Sequence, residues 1–358
     1  MAACTRAKGN WGAAALLLSL LAGAGPAQAI DTMVPRPAEP APKAAHSILL
    51  DLAFTGQRYV SVGQRGDILV SDDAREWKQV PGPVRQMLNR VRFVDQQYGW
   101  AVGYDGVILN TRDGGLTWIL QNFDPKAGLP FFDVAFLDRS HGIAVGARGL
   151  LKHSDDGGAS WQDINADFVS LGLNLYSICR LKDGTLLITG ERGMLARSVD
   201  GGATWSMLQS PYAGSLFGAV PDGEAGAVVF GMRGKIYRVE HVATVPTEDP
   251  KHWDEMSSQA LTGAERPSES AAVISVPGWT PLNCPVKQGL FGGVRTAGGG
   301  IVLVGADGTV VTAAAGATEF TLQSNPSNVP FAAVLPQKDG LLVVGRNGVQ
   351  HLQWSAVP

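Results

Sequence analysis

The chain has 358 residues, with 29 Lys and Arg against 32 Asp and Glu and a formal net charge of −3. That balance excludes a general pull toward nucleic acid or an anionic membrane surface, both of which call for a basic surplus. Three cysteines in this length exclude a disulfide framework, while 45 glycines point to many tight turns between short strands.

In chain order, residues 1–29 read as a secretory signal peptide. Arg6 and Lys8 open it, Trp11–Gly25 is apolar, and Ala27–Ala29 is a small-residue cleavage site. The apolar run is shorter than the roughly 20 residues of a membrane span, which argues against a retained anchor. The expectation is an exported chain, in a periplasm, a thylakoid lumen or the medium, that does not span the membrane once the leader is gone. Residues 30–46 form an N-terminal segment. Within it Ile30–Arg36 is expected to supply a strand and the Pro-rich Pro35–Ala44 an extended connector.

From residue 47 to 358 an apolar stretch followed by Gly-x-x-Gly recurs seven times. Its leading glycines are Gly63, Gly103, Gly146, Gly190, Gly231, Gly305 and Gly345, spaced by about 40 residues except for one long step after Gly231. Seven units of this length predict an all-β, seven-bladed β-propeller of four-stranded blades. In the second unit the four strands are expected in Leu88–Asp95, Gly99–Gly106, Val107–Thr111 and Leu116–Gln121. By repeat position Cys179 falls on an innermost strand. It reads as a buried thiol, with a Cys179–Cys284 bridge as the alternative. The last unit ends after three strands, so the Ile30–Arg36 strand is expected to close the ring.

Between the third and fourth strands stands an octapeptide that occurs three times, as TRDGGLTW, SDDGGASW and SVDGGATW. It places Asp113, Gly115, Thr117 and Trp118 in unit two, and Asp156, Gly158, Ser160 and Trp161 in unit three. In unit four it places Asp200, Gly202, Thr204 and Trp205. The Asp can accept backbone N–H groups across a turn, Gly takes a left-handed conformation, and Trp packs between blades. The pattern resembles the Asp-box of sialidases and sortilins, where it is a structural fastener away from the ligand site. Unit one holds a shortened copy, Ser71–Trp77.

The Gly-x-x-Gly turns lie on the opposite face. There Arg65, Arg148, Arg192 and Arg233 share the residue before the second glycine, with Arg346 one place earlier in the last unit; Asp105, Asp307 and Asn347 hold the shared place elsewhere. Such an arc suits carboxylates or phosphates of a partner through paired hydrogen bonds. The plainer alternative is arginine on a solvated turn. The blade motif over the whole exported chain resembles the photosystem II stability/assembly factor family. That resemblance implies a lumenal seven-bladed propeller that binds newly made membrane-protein subunits without catalysis. It also implies a partner-binding arginine patch, to which Arg65, Arg148, Arg192 and Arg233 correspond by turn position. In a non-photosynthetic bacterium the partners would be other envelope proteins or a transporter complex.

The long step holds an insertion at about 240–280, polar and acidic, with a helical piece expected over Asp249–Leu261. It reads as a partner-binding loop or as a loose one. A sialidase-like hydrolase or a carbohydrate-binding propeller is the rival function, with Arg65, Arg148, Arg192, Tyr104 and Glu191 as its imagined site. The Arg-Ile-Pro signature of sialidases is missing, and evenly spaced arginines fit it poorly. The six histidines are scattered without ligand spacing, so neither a metal nor a cofactor is expected.

Overall fold

A computed structural model describes residues 34–251, 275–325 and 327–353. The glycine pairs set its local geometry. A Cβ at the leading glycine would strike the carbonyl oxygen just before the inner strand of its own blade: Ile48 for Gly63, Met87 for Gly103, Pro130 for Gly146. At the second glycine the φ is positive, and a Cβ would also strike the connector to the next blade, as at Gly66 against Val84 and Gly193 against Tyr212. In six blades the residue before it is left-handed too, from Arg65 at φ 57° to Asp307 at φ 53°. With bonds such as Asp67 N–H to the Gln64 carbonyl (3.0 Å), these are type I′ hairpin turns, whose twist matches the strands they join.

Among the described residues six sheets of four antiparallel strands and one of three result, each a simple meander. The inner strands are Leu49–Phe54, Leu88–Phe93, Phe131–Phe136, Leu175–Arg180, Leu216–Asp222, Leu290–Arg295 and Phe331–Gln337. Each touches the next, and the last touches the first, so the seven enclose a central channel. The core is divided accordingly. Each of seven apolar clusters joins one blade to its neighbour, for example Val91 and Leu109 with Val60 and Val62 between blades 2 and 1.

The fourth strand of blade 2 is shorter than expected, Ile119–Asn122, because Leu116 and Thr117 spend their amides on the Asp113 carboxylate. Among the described residues blade 7 has three strands; 34–36 form none, and 30–33 lie outside the described residues. The connector that follows carries proline at 35, 37, 40 and 42, each without a backbone donor. Across the seam Leu49, Leu52 and Leu69 of blade 1 pack against Ala333, Leu342 and Val344 of blade 7, with Ala41, Ala44 and Ala45 added. The extended connector is tied to blade 1 by Ala38 N–H to the Gly82 carbonyl (2.9 Å) and Ala41 N–H to Gln79 Oε1 (2.6 Å). Ala45 faces the Gly348 turn as Val84 faces Gly66, so the connector takes the route that follows a fourth strand in other blades.

Around the channel two buried carboxylates clamp blades 1 to 4. Asp51 accepts Val91 N–H (2.9 Å) and pairs with Arg92 (2.7 Å). Asp133, fully buried, accepts Ser177 Oγ–H (2.9 Å) and Ile178 N–H (3.2 Å) and faces Arg90 and Arg92 at 3.5 and 3.4 Å. Next to them Cys179 is a free thiol, pushed up to about 12 by burial and then by the Asp133 charge. Cys284 is also free and lies in a different apolar cluster, so the bridge alternative does not hold.

The insertion is anchored at both ends. Leu208 bridges Thr247, Val242 and Val245 pack beneath it, and Arg197 donates to the Val242 carbonyl at 2.9 Å. Its far end, Trp279–Leu282, is the fourth strand of blade 5. Both flanks are thus built into blades 4 and 5, while the helical piece expected over Asp249–Leu261 lies beyond the described residues from 252 onward.

Candidate functional site: the turn face of the propeller

Each Gly-x-x-Gly turn is bound to the start of its own inner strand. The N–H of the residue after the leading glycine donates to the carbonyl just before that strand: Gln64 to Ile48, Tyr104 to Met87, Ala147 to Pro130, Glu191 to Asn174, Met232 to Ser215, Ala306 to Gly289 and Arg346 to Pro330. The arginines therefore stand around one mouth of the channel. Arg65, Arg148, Arg192, Arg233 and Arg346 are all exposed. Arg65 reaches Asp67 at 3.9 Å, and the Arg148 backbone donates to Asn174 Oδ1 at 3.2 Å.

Backbone conformation separates these arginines into two kinds. Arg65, Arg148, Arg192 and Arg233 have φ of 57°, 54°, 56° and 57°. A side chain there costs about 1–2 kcal/mol relative to the right-handed form, and Gly, Asn or Asp tolerate the place better. Blades 2 and 6 hold the tolerated type, Asp105 and Asp307. Arg346 has no positive φ, since blade 7 turns differently through Arg346 and Asn347. It shares the face without the strain.

The octapeptide turns are on the other side and satisfy themselves. Asp113 accepts from Leu116 N (3.0 Å), Thr117 N (2.9 Å), Thr117 Oγ1 (2.6 Å) and Thr111 Oγ1 (2.9 Å). Asp156 with Ser160 and Asp200 with Thr204 repeat the arrangement. The indole N–H of Trp118, Trp161 and Trp205 donates to the carbonyl of Gly115, Gly158 and Gly202 at 3.0, 3.1 and 3.0 Å. Hydrogen bonds from Ser160 and Thr204 hold Asp156 and Asp200 at about 2. At Asp113 burial opposes the shift and the Thr117 bonds overcome it, leaving the carboxyl low. Carboxylates fixed in this way are poor proton carriers at neutral pH. The shortened copy keeps the geometry: Asp73 accepts Arg75 and Glu76 N–H, and Trp77 donates to Ala74, which takes φ 63° in place of glycine.

The residues of the hydrolase alternative lie on the same face as the arginine arc. Arg65, Tyr104, Arg148 and Arg192 come from turns of four different blades, and the Glu191 carboxylate accepts Asn174 N–H at 3.1 Å. Among the described residues no group of three or more His, Cys, Asp or Glu is placed to hold a metal, and no helix is long and apolar enough to cross a membrane. Sequence reasoning missed the second residue of the inner strands. There Phe132, Tyr176, Phe217 and Phe291 stand in consecutive blades with ring centroids 5.7, 5.3 and 5.6 Å apart. In the sequence each is one more aromatic in an apolar stretch; only alignment of the seven inner strands reveals a shared position.

The family model described as photosynthesis system II assembly factor YCF48 matches residues 69–131 and 124–248, together half of the chain. The chloroplastic photosystem II stability/assembly factor HCF136 of Cyanidioschyzon merolae is 46% identical over 50 residues, 13% of this chain and 11% of that protein. The photosystem II assembly protein Ycf48 of Thermosynechococcus vestitus is 35% identical over 46 residues, 13% of each. The aligned stretches thus span little more than a tenth of these curated relatives. Among solved structures, YCF48 from Cyanidioschyzon merolae superposes with a TM-score of 0.62 at 16% identity, covering 87% of this chain and 96% of that one. YCF48 bound to D1 peptide gives 0.56 at 18%, covering 85% and 92%. These likenesses establish the shared fold, and with the matched half of the sequence the chain belongs to the photosystem II assembly factor YCF48 family.

Proposed function

We propose that this chain is an exported, non-catalytic assembly factor whose arginine-bearing turn face holds a segment of a membrane-protein subunit while a complex is built. One observation carries the reading: four arginines of one face occupy left-handed backbone positions that cheaper residues would fill. Guanidinium groups at a common height offer paired, charge-assisted bonds to carboxylates. A relative with the same fold has been solved with a D1 peptide, which supports a protein segment as the ligand. Export rests on the leader read in residues 1–29, with a periplasm, a lumen or the medium as its destination.

The test compares the full exported chain with a variant carrying Arg65, Arg148, Arg192 and Arg233 changed to Glu. Both are crosslinked to membranes of the source organism. Loss of one membrane-protein partner from the variant, with its melting curve unchanged, is expected. Equal recovery by both chains would overturn the arginine reading, and turnover of aryl glycosides would overturn the non-catalytic one.

A further inference from the structure

Aligned by blade, the first residue of each inner strand is buried: Leu49, Leu88, Phe131, Leu175, Leu216, Leu290 and Phe331 are all at 1% exposure or less. The second residue is never fully buried, and it lies at the mouth ringed by the arginine turns. Its chemistry is uneven around the ring. Blades 7, 1 and 2 place Ala332, Leu50 and Asn89 there, and Asn89 is engaged with the Phe131 carbonyl at 2.7 Å. Blades 3 to 6 place the four touching aromatic rings, of which Phe291 is 37% exposed. Aromatic surface left open at a mouth is costly unless a partner covers it.

The three adjacent arginines fall on the same sector. Arg148, Arg192 and Arg233 belong to blades 3, 4 and 5, and so do Phe132, Tyr176 and Phe217. Met232, beside Arg233, adds an apolar side chain 39% exposed. We infer that this sector is a composite subsite for a protein segment that sets a large apolar side chain into the aromatic mouth and its flanking carboxylates on the three arginines. The inference rests on the proposed function and narrows it: the ligand is an acidic segment with an aromatic or large aliphatic residue at its centre, and blades 1, 2 and 7 are secondary. Charge alone would accept any acidic segment; the rings select among them.

The probe is a fluorescein-labelled decapeptide with one central Phe between two pairs of Glu. Two analogues accompany it, one with Ser for the Phe and one with Gln for every Glu. Fluorescence anisotropy is read with the full exported chain and with Phe217→Ser and Phe291→Ser, each checked for an unchanged melt. The wild type is expected to bind the Ser analogue about 10-fold more weakly, the effect of burying part of one ring. In both variants that preference falls toward unity while the preference for Glu over Gln persists. Equal binding of the Phe and Ser peptides by the wild type, a Phe preference retained in both variants, or no binding at millimolar peptide would overturn the subsite. If instead the Glu and Gln peptides bind alike while the Phe preference holds and is lost in the variants, the aromatic mouth stands and the arginine reading fails.

Discussion

Replacing Arg148 by Asn should stabilise the protein, although it removes a charge from the proposed binding face. Arg148 sits at φ 54° and ψ 39°, fully inside the left-handed region. Its backbone N–H keeps Asn174 Oδ1 whichever side chain follows. The left-handed conformation costs an ordinary side chain about 1–2 kcal/mol, and Asn recovers part of this through local hydrogen bonding. A gain of about 0.5–1 kcal/mol is expected; with a urea m-value near 3 kcal/mol/M the midpoint rises by about 0.2–0.3 M. Arg148→Val places a β-branched residue in the same conformation and should lower the midpoint by at least that much. Equilibrium urea unfolding by tryptophan fluorescence reads both. A lower midpoint for Arg148→Asn would refute the strain argument and with it the main structural support for the arginine face.

Three further outcomes follow from the packing. Asp133→Ala should cost about 3 kcal/mol, because it leaves Arg90 and Arg92 only the Asp51 side of the clamp and orphans the Ser177 Oγ–H and Ile178 N–H; a thermal melt within two degrees of wild type would contradict the clamp. Gly103→Ala, whose Cβ would meet the Met87 carbonyl oxygen, should cost about 3 kcal/mol or more, whereas Gly184→Ala, at φ 91° with open space around it, should cost about 1 kcal/mol; reversed order in urea titration would show that the turn positions are misassigned. Asp156 and Asp200, held at about 2 in the folded chain, are depressed below an unfolded carboxyl near 4, so their stabilisation is complete above about pH 4 and is lost as pH falls toward 2. Melting temperatures from pH 5 to 2 should therefore fall less steeply for the Asp156→Asn, Asp200→Asn double variant than for wild type, modestly, since both groups are solvent-screened.

The repeat was legible in the sequence because its glycines answer to fixed neighbours. Gly63 and Gly103 cannot carry a Cβ against the carbonyls they face, so their spacing reports blade geometry directly. The octapeptides were legible for the same reason, their Asp, hydroxyl, second Gly and Trp each being used in a bond. The site was only half legible. Turn position put the arginines on one face, but nothing in the letters showed that Arg148 is left-handed while Arg346 is not. The aromatic mouth was hidden because Phe131 and Phe132 look alike in sequence, although one is buried in a blade interface and the other opens on the channel. The expected closing strand, Ile30–Arg36, falls mostly on residues outside those described, so only its connector can be followed. The four prolines of the connector, at 35, 37, 40 and 42, were legible as an extended path, and its alanines pack into the seam.

The seam between blades 7 and 1 has a bearing on biogenesis. Leu49 and Leu52 share their cluster with Ala333, Leu342 and Val344, nearly the whole length of the chain away. A ribosome or translocon delivering the chain from its N-terminus exposes these leucines until the final blade has emerged. Early blades can fold on one another, but the first keeps an uncovered flank throughout. Truncated products are thus marked by an open, sticky edge that a quality-control protease can find. Full-length molecules hide it in a single late step.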